Sequence, residues 1–303
     1  MNYKKILSGL SITMMIIFFL SCGEGTVEVG PQTYDPKIVI NGYLQPDKKV
    51  QGIYITRNIP LNTEVIPENV LLAEAEVVLT DLENNQDYPL TFSHSRLSFE
   101  YNGNDLIIDH GRSYRLTINA VIDGKNLTCN SVTTVPKPGF SVLRDESVID
   151  TMKYRERDDE GNVKEFKIVF NTSPGTTFYA LSNIALDANL ETFIYDNAYF
   201  DFEPEDIDDD VENFKYELRW LQDANPEGGK REIVVPWLDL WFYSDYRLIV
   251  YAGDENFRLY LQTHRSVQEF DGNFHEPRMN ITGDGIGVFG SYLADTMYVR
   301  VEK

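Results

Sequence analysis

The sequence predicts a mainly β protein: an N-terminal immunoglobulin-like β-sandwich followed by a second β-rich domain with one amphipathic helix. Three observations predict this fold class. Short β-branched and aromatic runs alternate with Gly, Pro, Asn and Asp along most of the chain. Apolar and polar residues alternate strictly over residues 113–122, as in a strand with one buried face. Only residues 254–269 repeat their apolar side chains at the three- and four-residue spacing of a helix.

The first residues have the composition of a signal peptide. Lys4 and Lys5 precede an apolar run, residues 6–20, that is shorter than the roughly 20 residues of a membrane span. Residues 19–22 end in Cys22 and resemble the lipobox of bacterial lipoproteins. The resemblance implies cleavage before this cysteine and its lipidation; a retained transmembrane anchor is the alternative.

Cleavage would remove residues 1–21 and leave acyl chains on Cys22. Each CH₂ group of these chains that is buried in a bilayer contributes about 0.8 kcal/mol to the free energy of membrane binding. Cleavage would also delete two lysines and change the net charge from −21 to −23. A chain this acidic is unsuited to binding nucleic acid through phosphates. Residues 22–35 are rich in Gly, Pro and acids, which predicts a flexible tether. Glu24 and Glu28 could alternatively belong to an acidic export signal.

The predicted sandwich comprises residues 36–136. Its expected strands lie near 37–44, 52–56, 75–80, 88–92, 97–101, 113–122 and 125–135. Residues 111–116 resemble the tyrosine corner of such sandwiches, in which the Tyr114 hydroxyl bonds back to the chain. The alternative is that Tyr114 is an ordinary core aromatic. Cys129 lies in an apparent core strand and has no partner if Cys22 is acylated, so no disulfide framework is expected.

A linker with two prolines, residues 134–139, predicts the boundary to a second domain at 137–303. This domain is expected to continue in strands. Its helix is predicted over about 254–269, with Asp254 as the N-cap. A closing strand is predicted over residues 297–301.

The C-terminal sequence adds a family resemblance. Residues 276–290 (EPRMNITGDGIGVFG) resemble the closing signature of bacterial lipoproteins that contain domain of unknown function 4249 (DUF4249), and residues 34–44 are similar to that family's opening strand. The resemblance covers essentially the whole mature chain. It implies an outer-membrane lipoprotein beside a TonB-dependent transporter. It carries over no catalytic residue and no cofactor.

Gly285, Gly287 and Gly290 formally match the G-x-G-x-x-G pattern of dinucleotide-binding proteins. That loop must lie between a strand and a helix, followed by an acid about 20 residues later. Only 13 residues follow Gly290, and no helix fits them. The three glycines therefore predict a tight, structural C-terminal turn.

Other candidate chemistry is weak. Residues 201–212 hold eight acids, yet they lack the order of an EF-hand, so a solvated loop is favoured over a calcium site. The four histidines show no zinc-ligand spacing, and no nucleophile motif is present. We therefore expect no metal, no cofactor and no catalytic residue, although carboxylate-based hydrolysis stays open.

The densest aromatic cluster lies at residues 237–243. On a strand, Trp237, Asp239, Trp241 and Tyr243 would share one face, which could stack on sugar rings or on a partner's apolar surface. The alternative, that these rings fill the core of the second domain, is favoured.

These observations predict a membrane-anchored binding protein at the outer membrane, an accessory to TonB-dependent nutrient uptake, with a glycan or peptide as a candidate ligand. Two alternatives stay open. One is a structural adaptor that binds only the transporter protein, and the other is a surface hydrolase that uses carboxylates.

Overall fold

The computed structural model describes residues 34–60, 63–148, 150–197, 211–222, 227–263 and 279–303. The described residues from Pro36 to Lys303 form one compact unit. The strands are β1 (Ile38–Leu44), β2 (Tyr54–Arg57), β3 (Glu76–Asp81), β4 (Gln86–Ser93), β5 (Ser98–Glu100), β6 (Ser113–Ile122), β7 (Lys125–Thr134), β8 (Ser141–Val142), β9 (Asp150–Lys153), β10 (Phe166–Asn171), β11 (Phe178–Ala185), β12 (Tyr216–Gln222), β13 (Lys230–Val235), β14 (Asp245–Gly253), β15 (Ile281–Gly283) and β16 (Gly285–Glu302).

Helices are few and short in these ranges: α1 (Pro67–Val70), α2 (Val211–Phe214), α3 (Glu255–Thr263) and a 3-10 turn at Trp237–Asp239. None of them has the length and apolar character needed to cross a bilayer. The mainly β fold class predicted from the sequence is confirmed.

A six-stranded antiparallel sheet has the order β15-β7-β6-β3-β4-β5. Its centre is the alternating stretch 113–122, now β6, in which every second side chain from Tyr114 to Ile122 is buried. Asp123 and Gly124 join β6 to β7 with φ values of 51° and 77°, as a type I′ turn requires. The buried face fixes the register, because a slip of one residue would turn it to solvent.

A seven-stranded sheet has the order β12-β11-β14-β16-β1-β2, and β9 also pairs with β16. β1 runs parallel to β16, so that Ile38 lies opposite Gly285 and Leu44 opposite Ser291. The opening and closing strands of the described unit are therefore neighbours. The two domains predicted on either side of residue 136 share this sheet.

Two main hydrophobic cores divide near the predicted boundary. The first lies between the six-stranded sheet and β1–β2, and this face-to-face arrangement is the immunoglobulin-like sandwich. Apart from Phe289 of β16, its buried residues precede residue 136. The second core lies between the β13-β10-β8 sheet and the inner surface of β11, β14 and β16, and all its buried residues follow residue 137.

The tight C-terminal turn predicted at Gly285, Gly287 and Gly290 is wrong, since these glycines belong to β16. Gly287 has a φ of +104°, and a Cβ there would lie 2.1 Å from the Ile40 carbonyl oxygen. A Cβ on Gly285 would lie 2.7 Å from the Cys129 Sγ. The glycines thus allow β16 to approach β1 and β7 closely, where any side chain would clash.

The predicted helix is observed as α3, and residues 264–269 lie outside the described residues. Asp254 is the N-cap, because its Oδ1 accepts a hydrogen bond of 2.8 Å from the Phe257 amide. The Phe257 ring meets those of Phe178 at 6.0 Å and Tyr43 at 5.7 Å, both edge to face. α3 therefore covers one end of the outer surface of the seven-stranded sheet, the surface that faces away from the second core.

Candidate functional site

The aromatic platform predicted at residues 237–243 does not form. Trp237 and Asp239 lie in the 3-10 turn, so the four side chains do not share a strand face. Trp237 is buried, and its indole N–H donates a 2.8 Å hydrogen bond to the Lys164 carbonyl. The Asp239 carboxylate forms an ion pair with Arg219. The prediction of a shared exposed face is therefore wrong.

The remaining rings of this cluster also pack inward. Trp241 stacks on Phe193, with ring centroids 6.0 Å apart, and lies 4.8 Å from Phe214. The Tyr243 ring meets Tyr154 at 5.9 Å and 90°. Trp241 and Tyr243 are partly buried against the second core. The alternative favoured by the sequence, that these rings fill this core, is confirmed.

A different aromatic surface lies on the outer side of the seven-stranded sheet. We call it the aromatic face and define it as Tyr216, Trp220, Arg247, Tyr251 and Tyr298. Alternate residues of β14 point into the second core, and the residues between them, which include Arg247 and Tyr251, point outward.

Strand pairing brings these residues together from three separate parts of the chain. Across β12, β11, β14 and β16, Tyr216 aligns with Ile184, Arg247 and Tyr298 in one row. Trp220, Ala180, Tyr251 and Ala294 align in a second row. Side chains directly opposite on neighbouring strands have Cβ atoms about 5 Å apart. A third row, formed by Leu218, Ser182, Ile249 and Thr296, lies between these two rows on the same side of the sheet.

The three outer rings of the aromatic face are open to solvent. The exposed fractions are 60% for Tyr298, 47% for Trp220 and 39% for Tyr216. None of these rings contacts another aromatic ring among the described residues, whereas Trp237, Trp241 and Tyr243 all do. A solvent-exposed tryptophan on the same side of a sheet as two exposed tyrosines is typical of a surface that contacts a ligand or partner.

Arg247 lies between these rings and is partly buried. Its Nε is buried and has no hydrogen-bond partner in the described part of the chain. Burial raises the pKa of the neighbouring Tyr251 hydroxyl to about 12, and the Arg247 charge acts in the opposite direction. The guanidinium is thus close enough to Tyr251 to influence its ionisation.

The sequence contains a partial signal for this surface. β12 alternates Tyr216, Leu218 and Trp220 on one side, and a strand over 214–221 is predictable from that period. The register that aligns β12 with residues 247 and 298 is set by pairing between strands up to about 80 residues apart in the sequence, and no local pattern encodes it. The densest aromatic run, by contrast, proved to be core.

A polar cleft of about 470 Å³ lies beside the start of α3, between residues 134–137, 174–177 and 253–256. Asp254 lines this cleft. Behind it, the Thr133 hydroxyl donates a 2.6 Å hydrogen bond to Asp254 Oδ2 and lies 2.8 Å from the Ser291 hydroxyl. Burial raises the pKa of Asp254 to about 6, although hydrogen bonds from Thr133 and the Phe257 amide favour the carboxylate.

Asn256 completes this buried network. Its Nδ2 donates to the carbonyls of Val132 and Phe289, each at 2.7 Å, and its Oδ1 accepts from Asn280 Nδ2 at 2.7 Å. The two carbonyls belong to β7 and β16, so Asn256 fastens α3 to both strands. Asn280, part of the predicted family signature, thereby has a structural role that the sequence did not reveal.

Two further predicted positions, Tyr114 and Cys129, can be compared with the structure. The Tyr114 hydroxyl accepts a 3.0 Å hydrogen bond from the Asp109 amide, which is the back-bond of a tyrosine corner. Cys129 is buried, and burial raises the pKa of its thiol to about 12, so it is a core residue. Cys22 and residues 201–210 lie outside the described residues.

Comparison with solved structures finds similarity at low identity. The chain is similar to the FN1–FN3 domains of chicken CNTN1, with 8% identity, a TM-score of 0.22 and coverage of 88% of this chain and 66% of that one. It is also similar to a bacterial ice-binding adhesin, with 10% identity, a TM-score of 0.21 and coverage of 88% and 65%. This chain thus spans just under two thirds of each.

No curated protein matches the sequence. A family model described as domain of unknown function (DUF4249) matches residues 25–297, which is most of the chain. The chain therefore belongs to the DUF4249 family.

Proposed function

We propose that this protein is a lipid-anchored, non-catalytic binding component of the cell envelope that assists TonB-dependent nutrient uptake at the outer membrane. The observation that carries the proposal is the aromatic face. Its exposed Trp220 and Tyr298, on either side of Arg247, give a sheet surface suited to capturing a ligand.

The anchoring part of the proposal rests on the sequence around Cys22. Acyl chains on this cysteine would hold the protein on the membrane, and residues 22–35 would let the folded unit extend from it. A Cys22→Ala variant should leave the membrane fraction on cell fractionation and lose incorporation of labelled fatty acid. Equal membrane retention and labelling of the variant would overturn lipidation at this residue.

Ligand capture can be tested with the full lipidated protein in detergent on an array of neutral and acidic glycans. We expect retention of one glycan group by the wild type and its loss in the double variant Trp220→Ala and Tyr298→Ala. Tyr54→Ala is the matched control, because Tyr54 is 44% exposed but lies on β2, away from the aromatic face. Retention unchanged by the double variant would contradict a role for this surface.

The adaptor alternative makes a different prediction with the same variants. The exposed rings of the aromatic face could instead contact a transporter protein. Affinity purification from native membranes should then recover a TonB-dependent barrel with the wild type and lose it with the double variant, without any glycan retention. Recovery of the barrel by both proteins, with glycan retention by the wild type only, would favour the accessory binding function.

A further inference from the structure

We propose that the aromatic face binds an acidic saccharide, with the Arg247 guanidinium pairing with a sugar carboxylate while Trp220 and Tyr298 stack on separate sugar rings of the same chain. This inference rests on the proposed binding function and adds the chemical class of the ligand.

The first argument is the state of Arg247. Two other arginines of this part of the fold pair with carboxylates: Arg144 with Asp295 at 2.7 Å and Arg300 with Asp245 at 3.1 Å. Arg247 has no ion pair or hydrogen bond to any described residue, and its Nε is buried. A buried donor without a partner destabilises the protein, so an acceptor that reaches this guanidinium is favoured.

The second argument is the charge around Arg247. The acid nearest to it in sequence on β14 is Asp245, two residues earlier and on the same side of the strand. That carboxylate is engaged by Arg300, which lies directly opposite on β16. The guanidinium is therefore not neutralised by its strand neighbour, although the whole protein has a net charge of −21. The aromatic face offers a local positive charge on an acidic molecule.

The third argument is the placement of the rings. Trp220 on β12 and Tyr298 on β16 lie on opposite sides of β14, which carries Arg247. Three strand spacings separate β12 from β16, and Trp220 lies in the row of Tyr251, four residues along the strands from the row of Arg247 and Tyr298. The two rings are therefore separated by a diagonal width of about 19 Å, from about 14 Å across the strands and about 13 Å along them. A short oligosaccharide can span this width, its C–H faces against the electron-rich faces of the rings. The charge between the two rings fits a carboxylate carried within such a chain.

The same features decide against other anions. A guanidinium presents parallel N–H donors that match a planar carboxylate. One such group cannot offset the repulsion between a protein of charge −21 and a polyphosphate backbone, which needs many basic contacts. The site therefore favours a ligand in which sugar rings supply most of the contact area and a carboxylate supplies the orientation.

The test compares an oligosaccharide that carries one uronic acid among neutral sugars with its methyl ester, which keeps the rings and removes the charge. Calorimetry with the full lipidated protein in detergent should show at least about tenfold tighter binding of the acid form, a preference that weakens as salt is added. Arg247→Gln should reduce the affinity for the acid form to that for the ester and leave ester binding unchanged. Trp220→Ala should weaken binding of both forms.

Several outcomes would overturn the inference. Equal affinity of the wild type for acid and ester would exclude a role for the carboxylate, whereas loss of ester binding in Trp220→Ala would still uphold glycan capture. Absence of binding of both the acid and the ester would also overturn the inference. The proposed binding function would then be tested separately by the glycan array, where retention of neutral glycans would support it. Self-association that Trp220→Ala abolishes, measured by sedimentation, would assign the face to a second copy of the chain. The comparison of acid and ester uses the wild type alone, so it does not depend on the folding of any variant. Tyr298→Ala is a second variant for the stacking contact, and because Tyr298 is 60% exposed its truncation should leave the fold intact.

Discussion

The Thr133 hydroxyl donates a 2.6 Å hydrogen bond to the carboxylate of Asp254, a residue 121 positions later in the chain. This contact joins the end of β7 in the six-stranded sheet to the N-cap of α3. The carboxylate is buried, and its pKa is raised to about 6. The connection between the two halves of the fold therefore includes an acid that is costly to ionise.

The first prediction concerns this acid. The Asp254 carboxyl binds its proton more tightly in the folded state than in the unfolded state. The free energy of unfolding should therefore fall as the pH rises from about 4 to about 6. The shift corresponds to about 3 kcal/mol at neutral pH. Asp254→Asn keeps an oxygen for the N-cap but cannot ionise, so it should flatten this pH dependence and unfold at higher denaturant concentration at pH 7.

Asp159→Asn is the control for this experiment, because Asp159 lies on an exposed loop away from the cleft. Chemical denaturation of the three proteins across the pH range measures the effect. Parallel pH profiles for the wild type and Asp254→Asn would contradict the prediction.

The second prediction concerns the tyrosine corner. Tyr114→Phe removes the hydroxyl that accepts the Asp109 amide in a buried site and should lower the free energy of unfolding by about 1 to 2 kcal/mol. Tyr54→Phe removes an exposed hydroxyl and should change it by less than about 0.5 kcal/mol. Urea denaturation measures both, and equal midpoints for the two variants would show that the back-bond contributes nothing.

The third prediction separates two glycines that both have positive φ. Gly287→Ala places a Cβ 2.1 Å from the Ile40 carbonyl oxygen and should disrupt the pairing of β16 with β1, leaving little folded protein. Gly124→Ala has the same kind of backbone strain at φ +77° but no atom within 4 Å of the new Cβ, so it should cost about 1 kcal/mol. Circular dichroism and thermal denaturation compare them; a cooperative, near-native transition for Gly287→Ala would refute the close packing.

The fourth prediction contrasts two tryptophans. Trp237→Ala empties a buried site next to Phe166 and Tyr154 and should lower the free energy of unfolding by about 3 kcal/mol or more. Trp220→Ala truncates a half-exposed ring and should change it by less than about 1 kcal/mol. Denaturation of both variants measures the difference, and a reversed order would mean that the aromatic face is part of the core.

Several elements were predictable because their signals are local. The alternation that became β6, the Asp-Gly turn after it, the N-cap at Asp254 and the back-bond of Tyr114 each depend on residues close together in the sequence. The predicted Gly-rich turn failed for the opposite reason. Glycine permits backbone conformations that suit both a turn and a tightly packed strand. At Gly287 the close approach of the Ile40 carbonyl, which is far away in sequence, selects the strand.

The sequence by itself determined the β-rich class, the positions of many strands and the one amphipathic helix, because burial of one face imposes a period that can be read along the chain. Only the tertiary structure decided that β1 pairs with β16 and that Trp237 is buried. It also decided that Trp220, Arg247 and Tyr298 share a surface. The physical reason is that packing and hydrogen bonding between distant segments select the strand partners. The free energy of those contacts depends on both segments together, so it cannot be read from the local sequence of either one.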